Sequence, residues 1–196
     1  MDSDLNVLIR SGISNKLAIN TLFLQLVRGV QHIQNCSFMH LDLKPSNILC
    51  SKVRDDGTCH LRIADFGLAS KYSFGQPNYP GVQTLYYRCP EVCLKYEWYT
   101  MSADTYSVGL IYLEMLTSTV HRSQSDIEQL ENCIKIAGLG SSQIPAFWNS
   151  LPIFRKIQKD SAFPYHTRPF KSKESSVAES YQLKTFQDRG INDALT

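Results

Sequence analysis

The chain has 196 residues, 43% of them hydrophobic and 19% charged, with a formal net charge of +2. That length holds one domain with a real core, and that balance gives no electrostatic argument for a nucleic-acid or membrane partner. No apolar run reaches spanning length and Met1-Asp2-Ser3-Asp4 has no signal-peptide character, so a cytoplasmic or nuclear location is expected.

In chain order, residues 15–35 read as a helix, because Leu22, Leu26, Val30 and Ile33 recur at helical spacing and Val27 widens the stripe. Asn47–Cys50 and Leu61–Ala64 read as two short strands, with the turn signal Arg54-Asp55-Asp56-Gly57 between them. Residues 70–83 carry Gly75, Pro77, Pro80 and Gly81 and are expected to be loop. Residues 102–117 form a second apolar helix with Ser102 as its cap. Residues 126–137 form a third, with Ile127, Leu130 and Ile134 on one face. Gly138-Leu139-Gly140 reads as the turn that ends it, since a nucleotide-binding loop needs a third glycine and a preceding strand. From about residue 161 the pattern decays through a polar run at Lys171–Ser176, so 161–196 is set apart as a divergent segment, partly helical or disordered. Six cysteines lack a second Cys/His pair at ligand spacing beside Cys89-x-x-x-Cys93, and all read as reduced thiols.

The chemistry concentrates in His40-Leu41-Asp42-Leu43-Lys44-Pro45-Ser46-Asn47, followed by Asp65-Phe66-Gly67. Asp42 can accept a hydroxyl proton, and Lys44 can neutralise charge on a transferring phosphoryl group. Asn47 and Asp65 offer hard oxygens to magnesium. Each has a plainer reading: Asp42 as a turn residue, Asp65 as a turn cap, Leu49 as core, Thr84 as loop. His40 fits a structural role, packing the loop through its ring nitrogens. Asp104 suits either a helix first-turn acid or an acceptor for backbone N–H groups of the loop. Further on stand Thr84-Leu85-Tyr86-Tyr87-Arg88-Cys89-Pro90-Glu91 and Asp104-Thr105-Tyr106-Ser107-Val108-Gly109.

In this order and spacing, these motifs resemble those of serine/threonine protein kinases. Tyr87-Arg88 ahead of Pro90-Glu91 is similar to the CMGC group, which includes cyclin-dependent, MAP and glycogen synthase kinases. Ser125–Leu130, Trp148 and Leu151-Pro152 look like cyclin-dependent kinases, and Gly75–Asn78 like glycogen synthase kinases. The resemblance implies a mainly α fold: the helical C-lobe of a kinase over residues 1–160, a short β-hairpin at the catalytic loop, and the N-terminal β lobe absent. The sequence holds no Gly-x-Gly-x-x-Gly after a strand and no strand lysine like that of Val-Ala-x-Lys. The expectation is therefore a truncated catalytic lobe, inactive alone, or one whose missing lobe a partner supplies.

The implied reaction is transfer of the ATP γ-phosphoryl to protein serine or threonine hydroxyls, with Mg2+. Asp42, Lys44 and Asn47 would be catalytic; Asp4, Ser46, Asn47, Leu49 and Asp65 would hold the nucleotide; Asn47 and Asp65 would hold the metal. For Asp4 a helix-capping role weighs equally. Protein substrates with proline after the target, suggested by Arg88, and a cyclin-like partner are implied. The alternative is a silent kinase-like scaffold or decoy. A small-molecule phosphotransferase would leave Lys44 and the Tyr-Arg-Cys-Pro-Glu run unexplained. Arg189 is the expected partner of Glu91. Leu41 stands where phosphorylation-switched kinases carry a phosphate-binding arginine, and Tyr79 and Gly81 where they carry acceptors, so no switch of that kind is expected.

Overall fold

The computed structural model describes residues 2–13, 16–51, 58–138 and 143–159. The chain divides into two compact units, Met1–Cys133 with Pro145–Phe163 and Ile134–Ile144 with Pro164–Thr196. The site lies in the first. The expected turn at 54–57, Leu139-Gly140, the segment 161–196 and Arg189 lie outside the described residues.

Strand β1 (Ser3–Asp4) runs straight into helix α1 (Leu5–Ser11). The Asp4 carboxylate accepts the Val7 N–H at 2.9 Å and so caps α1. Gly12 at φ +86° ends it, a conformation a Cβ would strain. Helix α2 (Lys16–Asn35) buries Leu22, Leu26 and Val30 along one ridge. Val27 is 38% exposed and does not widen the stripe, because the i+4 row already fills the contact. Strand β2 (Phe38–Met39) leads to the loop 40–44 and a 3-10 turn at Pro45–Asn47. Strands β3 (Ile48–Cys50) and β4 (Leu61–Ile63) pair antiparallel with Ile48 opposite Ile63. β1 adds to the other edge of β3 with Asp4 opposite Leu49, and β2 pairs with β5 (Ser70–Lys71).

A 3-10 turn at Leu85–Tyr87 precedes α3 (Pro90–Cys93). Then come α4 (Ser102–Thr117), α5 (Asp126–Ala137) and α6 (Pro152–Lys159). Ser102 is the first helical residue of α4 and not its cap; the Thr100 hydroxyl accepts the Ser102 N–H instead, at 3.3 Å.

Among the described residues, the single expected hairpin is corrected to five strands in two sheets, all within residues 3–71. β1, β2 and β5 are two residues long, too short for alternation to register, and β5 falls inside the segment expected to be loop. α1 and α3 span only 7 and 4 residues, below the length at which helical periodicity is legible.

The main core joins Leu5 and Ile9 of α1, Leu22, Leu26 and Val30 of α2, Leu43 and Ile48 beside the loop, and Val108, Ile111 and Met115 of α4. α2 lies so close to β4 that a Cβ on Gly29 would sit 2.9 Å from Cδ1 of Ile63. A second cluster packs Met39, Leu41, Val82, Cys89, Val92, Tyr99 and Ala103. None of the cysteines forms a disulfide; Cys36 is exposed and the other five are buried. Burial pushes the Cys50 thiol up to about 12 and Cys133 to about 11, which makes them poor nucleophiles. No helix among the described residues is long and apolar enough to cross a membrane.

Candidate active site

The loop that begins at His40 is hung from one buried carboxylate. Asp104, in the first turn of α4, is fully buried and accepts the His40 N–H at 2.6 Å and the Leu41 N–H at 2.9 Å. Burial pushes its carboxyl up, and the two N–H groups partly offset that. Of the two readings for Asp104, the acceptor of loop N–H groups is thus realised alongside its place in the first helical turn. His40 is also fully buried, with Nδ1 accepting the Asp42 N–H at 3.2 Å. That leaves Nε2 as the protonated nitrogen, and it donates to the Ala64 carbonyl at 3.0 Å. The ring therefore joins the loop to the residue before Asp65.

Asp42 is 8% exposed, and each of its oxygens has two donors. Oδ1 accepts from the Thr84 hydroxyl at 2.6 Å and the Thr84 N–H at 3.2 Å. Oδ2 accepts from Lys44 Nζ at 2.8 Å and Asn47 Nδ2 at 3.1 Å. Burial alone would push this carboxyl up; the bonds from Lys44, Thr84 and Asn47 outweigh it and hold it below the ordinary value. Lys44 Nζ also reaches Thr84 Oγ1 at 3.2 Å. Thr84 is thereby part of the site and more than a loop residue.

Asn47 spends Nδ2 on the Asp42 carboxylate and on the Asp42 carbonyl at 2.9 Å, which leaves Oδ1 as its oxygen donor toward a cation. The Ala64 N–H donates to the Asn47 carbonyl at 2.9 Å, so Asp65 follows directly on the strand beside Asn47. Asp65 is exposed, and its Oδ1 accepts the Gly67 N–H at 3.3 Å. No group of three His, Cys, Asp or Glu among the described residues could hold a metal ion. A pair of hard oxygen donors suits magnesium, which keeps several waters and shares phosphate oxygens, and so these residues fit that ion. Leu49 is half-buried and lies opposite Asp4 in the ladder. Ser46 is exposed on the 3-10 turn. The capping role of Asp4 is visible directly in its bond to Val7.

Three non-glycine residues at the site have left-handed backbones: Leu41 at φ 63°, Asp65 at 63° and Gln83 at 64°. Each such residue costs roughly 1–3 kcal/mol and persists where its surroundings hold it. Leu41 is held by Asp104 on its N–H and by the Gln83 N–H on its carbonyl, at 2.9 Å each.

Sequence reasoning missed Gln83, whose only signal is a polar residue just before Thr84. It also missed Glu114, which accepts the Tyr87 hydroxyl at 2.7 Å, and Asp126, which pairs with Arg88 and, at 2.6 Å, with Lys95. These contacts bridge residues 27 or more positions apart, beyond any local pattern. Glu91 is half-buried.

The protein kinase domain family matches residues 1–186. This chain belongs to that family. It is 37% identical over 150 residues to cyclin-dependent kinase 11B of Mus musculus, covering 76% of this chain and 18% of the relative. It is 39% identical over 139 residues to mitogen-activated protein kinase p38b of Drosophila melanogaster, covering 70% and 36%. Among solved structures, the yeast RNA Pol II CTD kinase CTDK-1 complex contains a similar chain, with TM-score 0.77 and 28% identity over 90% of this chain and 57% of that one. The chain therefore has CMGC-group relatives, and spans between 18% and 36% of the length of these two curated proteins. The reading of a helical C-lobe alone, with the N-terminal β lobe absent, is overturned. The kinase domain match starts at residue 1, and strands β1–β5 lie in the N-terminal part of that match.

Proposed function

We propose that this kinase transfers the γ-phosphoryl group of ATP to serine or threonine hydroxyls of proteins, with Asp42 as the group that receives the substrate hydroxyl. The observation that carries this reading is the saturated Asp42 carboxylate, kept ionised by Lys44, Thr84 and Asn47. An arriving hydroxyl competes for Oδ2. As it binds, Lys44 can leave Asp42 for the phosphoryl oxygens while keeping its contact to Thr84. A carboxylate held this acidic is a weak base. It therefore orients the hydroxyl first and takes the proton late, once the bond to phosphorus has acidified it. Asn47 Oδ1 and Asp65 would hold magnesium, which neutralises phosphate charge when bound. Asp4, Ser46 and Leu49 would flank the nucleotide.

Protein substrates with proline after the target belong to the same proposal. The Gln83 carbonyl accepts Arg88 Nη2 at 2.7 Å, and the Val82 carbonyl accepts Arg88 Nε at 3.0 Å. A substrate N–H following the target would find these acceptors taken, and proline brings no N–H to bury. The relatives include proteins named cyclin-dependent kinases, and we carry over from them a cyclin-like partner.

The test is phosphate transfer from radiolabelled Mg-ATP to a Ser-Pro peptide. Asp42→Asn is expected to lower the rate roughly 10²–10⁴-fold, the range for a positioned general base. An unchanged rate would remove Asp42 from this role.

A further inference from the structure

We propose that the Tyr79 ring is a movable cover on the Gly81 backbone, an autoinhibitory contact that a substrate main chain must displace. This deepens the kinase reading above and rests on it. Residue 81 has no side chain, and the ring of residue 79 stands where one would be. A Cβ on Gly81 would lie 2.6 Å from Tyr79 Cε1, 3.0 Å from Cζ and 3.1 Å from the hydroxyl oxygen. The first of these is shorter than real Cβ contacts, so a side chain at 81 would push the ring aside. The ring has a fixed root and a free end. Asn78, just before it, donates its N–H to the Glu97 carbonyl and its Nδ2 to the Tyr99 carbonyl, at 2.7 Å each. The buried Tyr99 donates its hydroxyl to the Tyr79 carbonyl, also at 2.7 Å. Tyr79 itself is 74% exposed, and its hydroxyl has no hydrogen-bond partner among the described residues. Opening therefore needs only rotation of the side chain, with the backbone left in place.

What the ring covers is open main chain. Gly81 is exposed, and among the described residues neither its N–H nor its carbonyl has a hydrogen-bond partner. Its surroundings are committed: Val82 is 4% exposed, and the Tyr79 carbonyl is taken by Tyr99. Gly81 lies three residues before Thr84, whose hydroxyl is bonded to Asp42. Three residues of extended chain span ~10 Å. A peptide with its target hydroxyl at Asp42 thus reaches Gly81 about three residues from the target. There an extended strand can pair with the unused N–H and carbonyl, the way open backbone edges recruit peptides. With the ring down, that face is shut. The closed position is held by van der Waals contacts and no hydrogen bond, so it is weakly favoured, and the open fraction scales the apparent affinity for substrate. Glycine at 81 makes the closed position available, and the tyrosine two residues earlier fills it.

The experiment measures binding and transfer separately. Fluorescence anisotropy gives Kd for a labelled Ser-Pro peptide, and phosphate transfer to the same peptide gives KM and kcat. Tyr79→Ala removes the cover and keeps the anchored carbonyl. It is expected to lower Kd and KM roughly threefold to tenfold with kcat unchanged, the range that a weakly favoured closed state allows. Gly81→Ala should give the same shift by driving the ring off. In the double variant the two shifts should not add, because both open one gate. Tyr79→Phe keeps the ring and should keep the wild-type Kd. Circular dichroism melts identify which variants are folded, and Gly81→Ala decides if Tyr79→Ala is not. A folded variant that binds no more tightly than wild type overturns the proposal, as do two shifts that add; binding too weak to measure in every variant counts the same way. Tighter binding by Tyr79→Ala without phosphate transfer would support the cover while removing the kinase reading; transfer with Kd and KM unaltered would do the reverse.

Discussion

Leu41 and Asp42 are neighbours in sequence, yet they anchor two regions built on opposite physics. Asp42 is held by Thr84, Lys44 and Asn47 through polar contacts at the edge of solvent. Leu41 is 2% exposed and sits among Met39, Val82, Cys89 and Tyr99. Its left-handed backbone is what sends the two side chains into different surroundings. The comparison teaches how the segment leading to Thr84 is held from two sides. Apolar packing does that work on one side and the ionised Asp42 carboxylate bonded to Thr84 on the other, with further bonds from Tyr99 to the Tyr79 carbonyl and from Asn78 to the Tyr99 carbonyl, both at 2.7 Å.

The comparison breaks most severely if a charge enters the apolar side. Leu41→Arg is expected to destabilise the protein by ~3–5 kcal/mol, as an unpaired buried charge does, and not to restore a phosphate switch. Urea denaturation checks it, and an unchanged midpoint would show that the side chain finds water. Leu41→Ala should cost somewhat less, ~2–4 kcal/mol for the lost methylenes and the cavity, again read by urea midpoint.

Thr84→Val probes the polar side and should be milder, on the order of 1.5–3 kcal/mol for a hydrogen bond to a charged group. It also carries a pH signature. The folded Asp42 carboxyl lies below its ordinary value of 3.8, so its stabilising contribution is present above that value and is lost as pH falls through the folded one. In urea melts between pH 6 and 3 the stability gap between wild type and variant should therefore narrow as pH falls, because the variant has less of that contribution to lose. Asp104, raised by burial, contributes in the opposite sense in both proteins and cancels in the difference. The smallest effect is expected at Tyr79, whose ring is 74% exposed and whose carbonyl, not hydroxyl, is the anchored group. Tyr79→Phe should leave phosphate transfer within about threefold, less than ~1 kcal/mol. A larger loss, with phosphate found on Tyr79 by mass spectrometry, would mean that a phosphate anchors this segment.

Much of the polar region was legible because its members lie close in the chain. Asp42, Lys44 and Asn47 fall within one loop, and Thr84 follows from the order of the motifs. The helices at 16–35 and 102–117 were also legible, since each is long enough for its apolar residues to repeat. The apolar region was not. Leu41 reads from sequence as a missing arginine, and only the packing of Val82, Cys89 and Tyr99 around it shows what leucine supplies in its place. Gln83 escaped for a related reason: a polar residue in a glycine- and proline-rich stretch reads as solvated, whereas its amide is spent on residues 6 to 24 positions away. The shortest strands were invisible because pairing, and not local preference, makes them.

The close approach at Gly29 has a bearing on tolerance, in the machinist's sense. α2 and β4 meet there with the Ile63 side chain against the bare Gly29 backbone, and the nearest atom to a hypothetical Cβ is the end of Ile63. Ile63 lies opposite Ile48, which follows Asn47, and precedes Ala64 and Asp65. Gly29 thus acts as a shim of zero thickness beneath the hairpin that carries both oxygen donors. An alanine can be absorbed by a turn of the Ile63 side chain. Anything bulkier would raise the hairpin as a whole, and the alignment of Asn47 and Asp65 with Asp42 would change though none of the three had been touched.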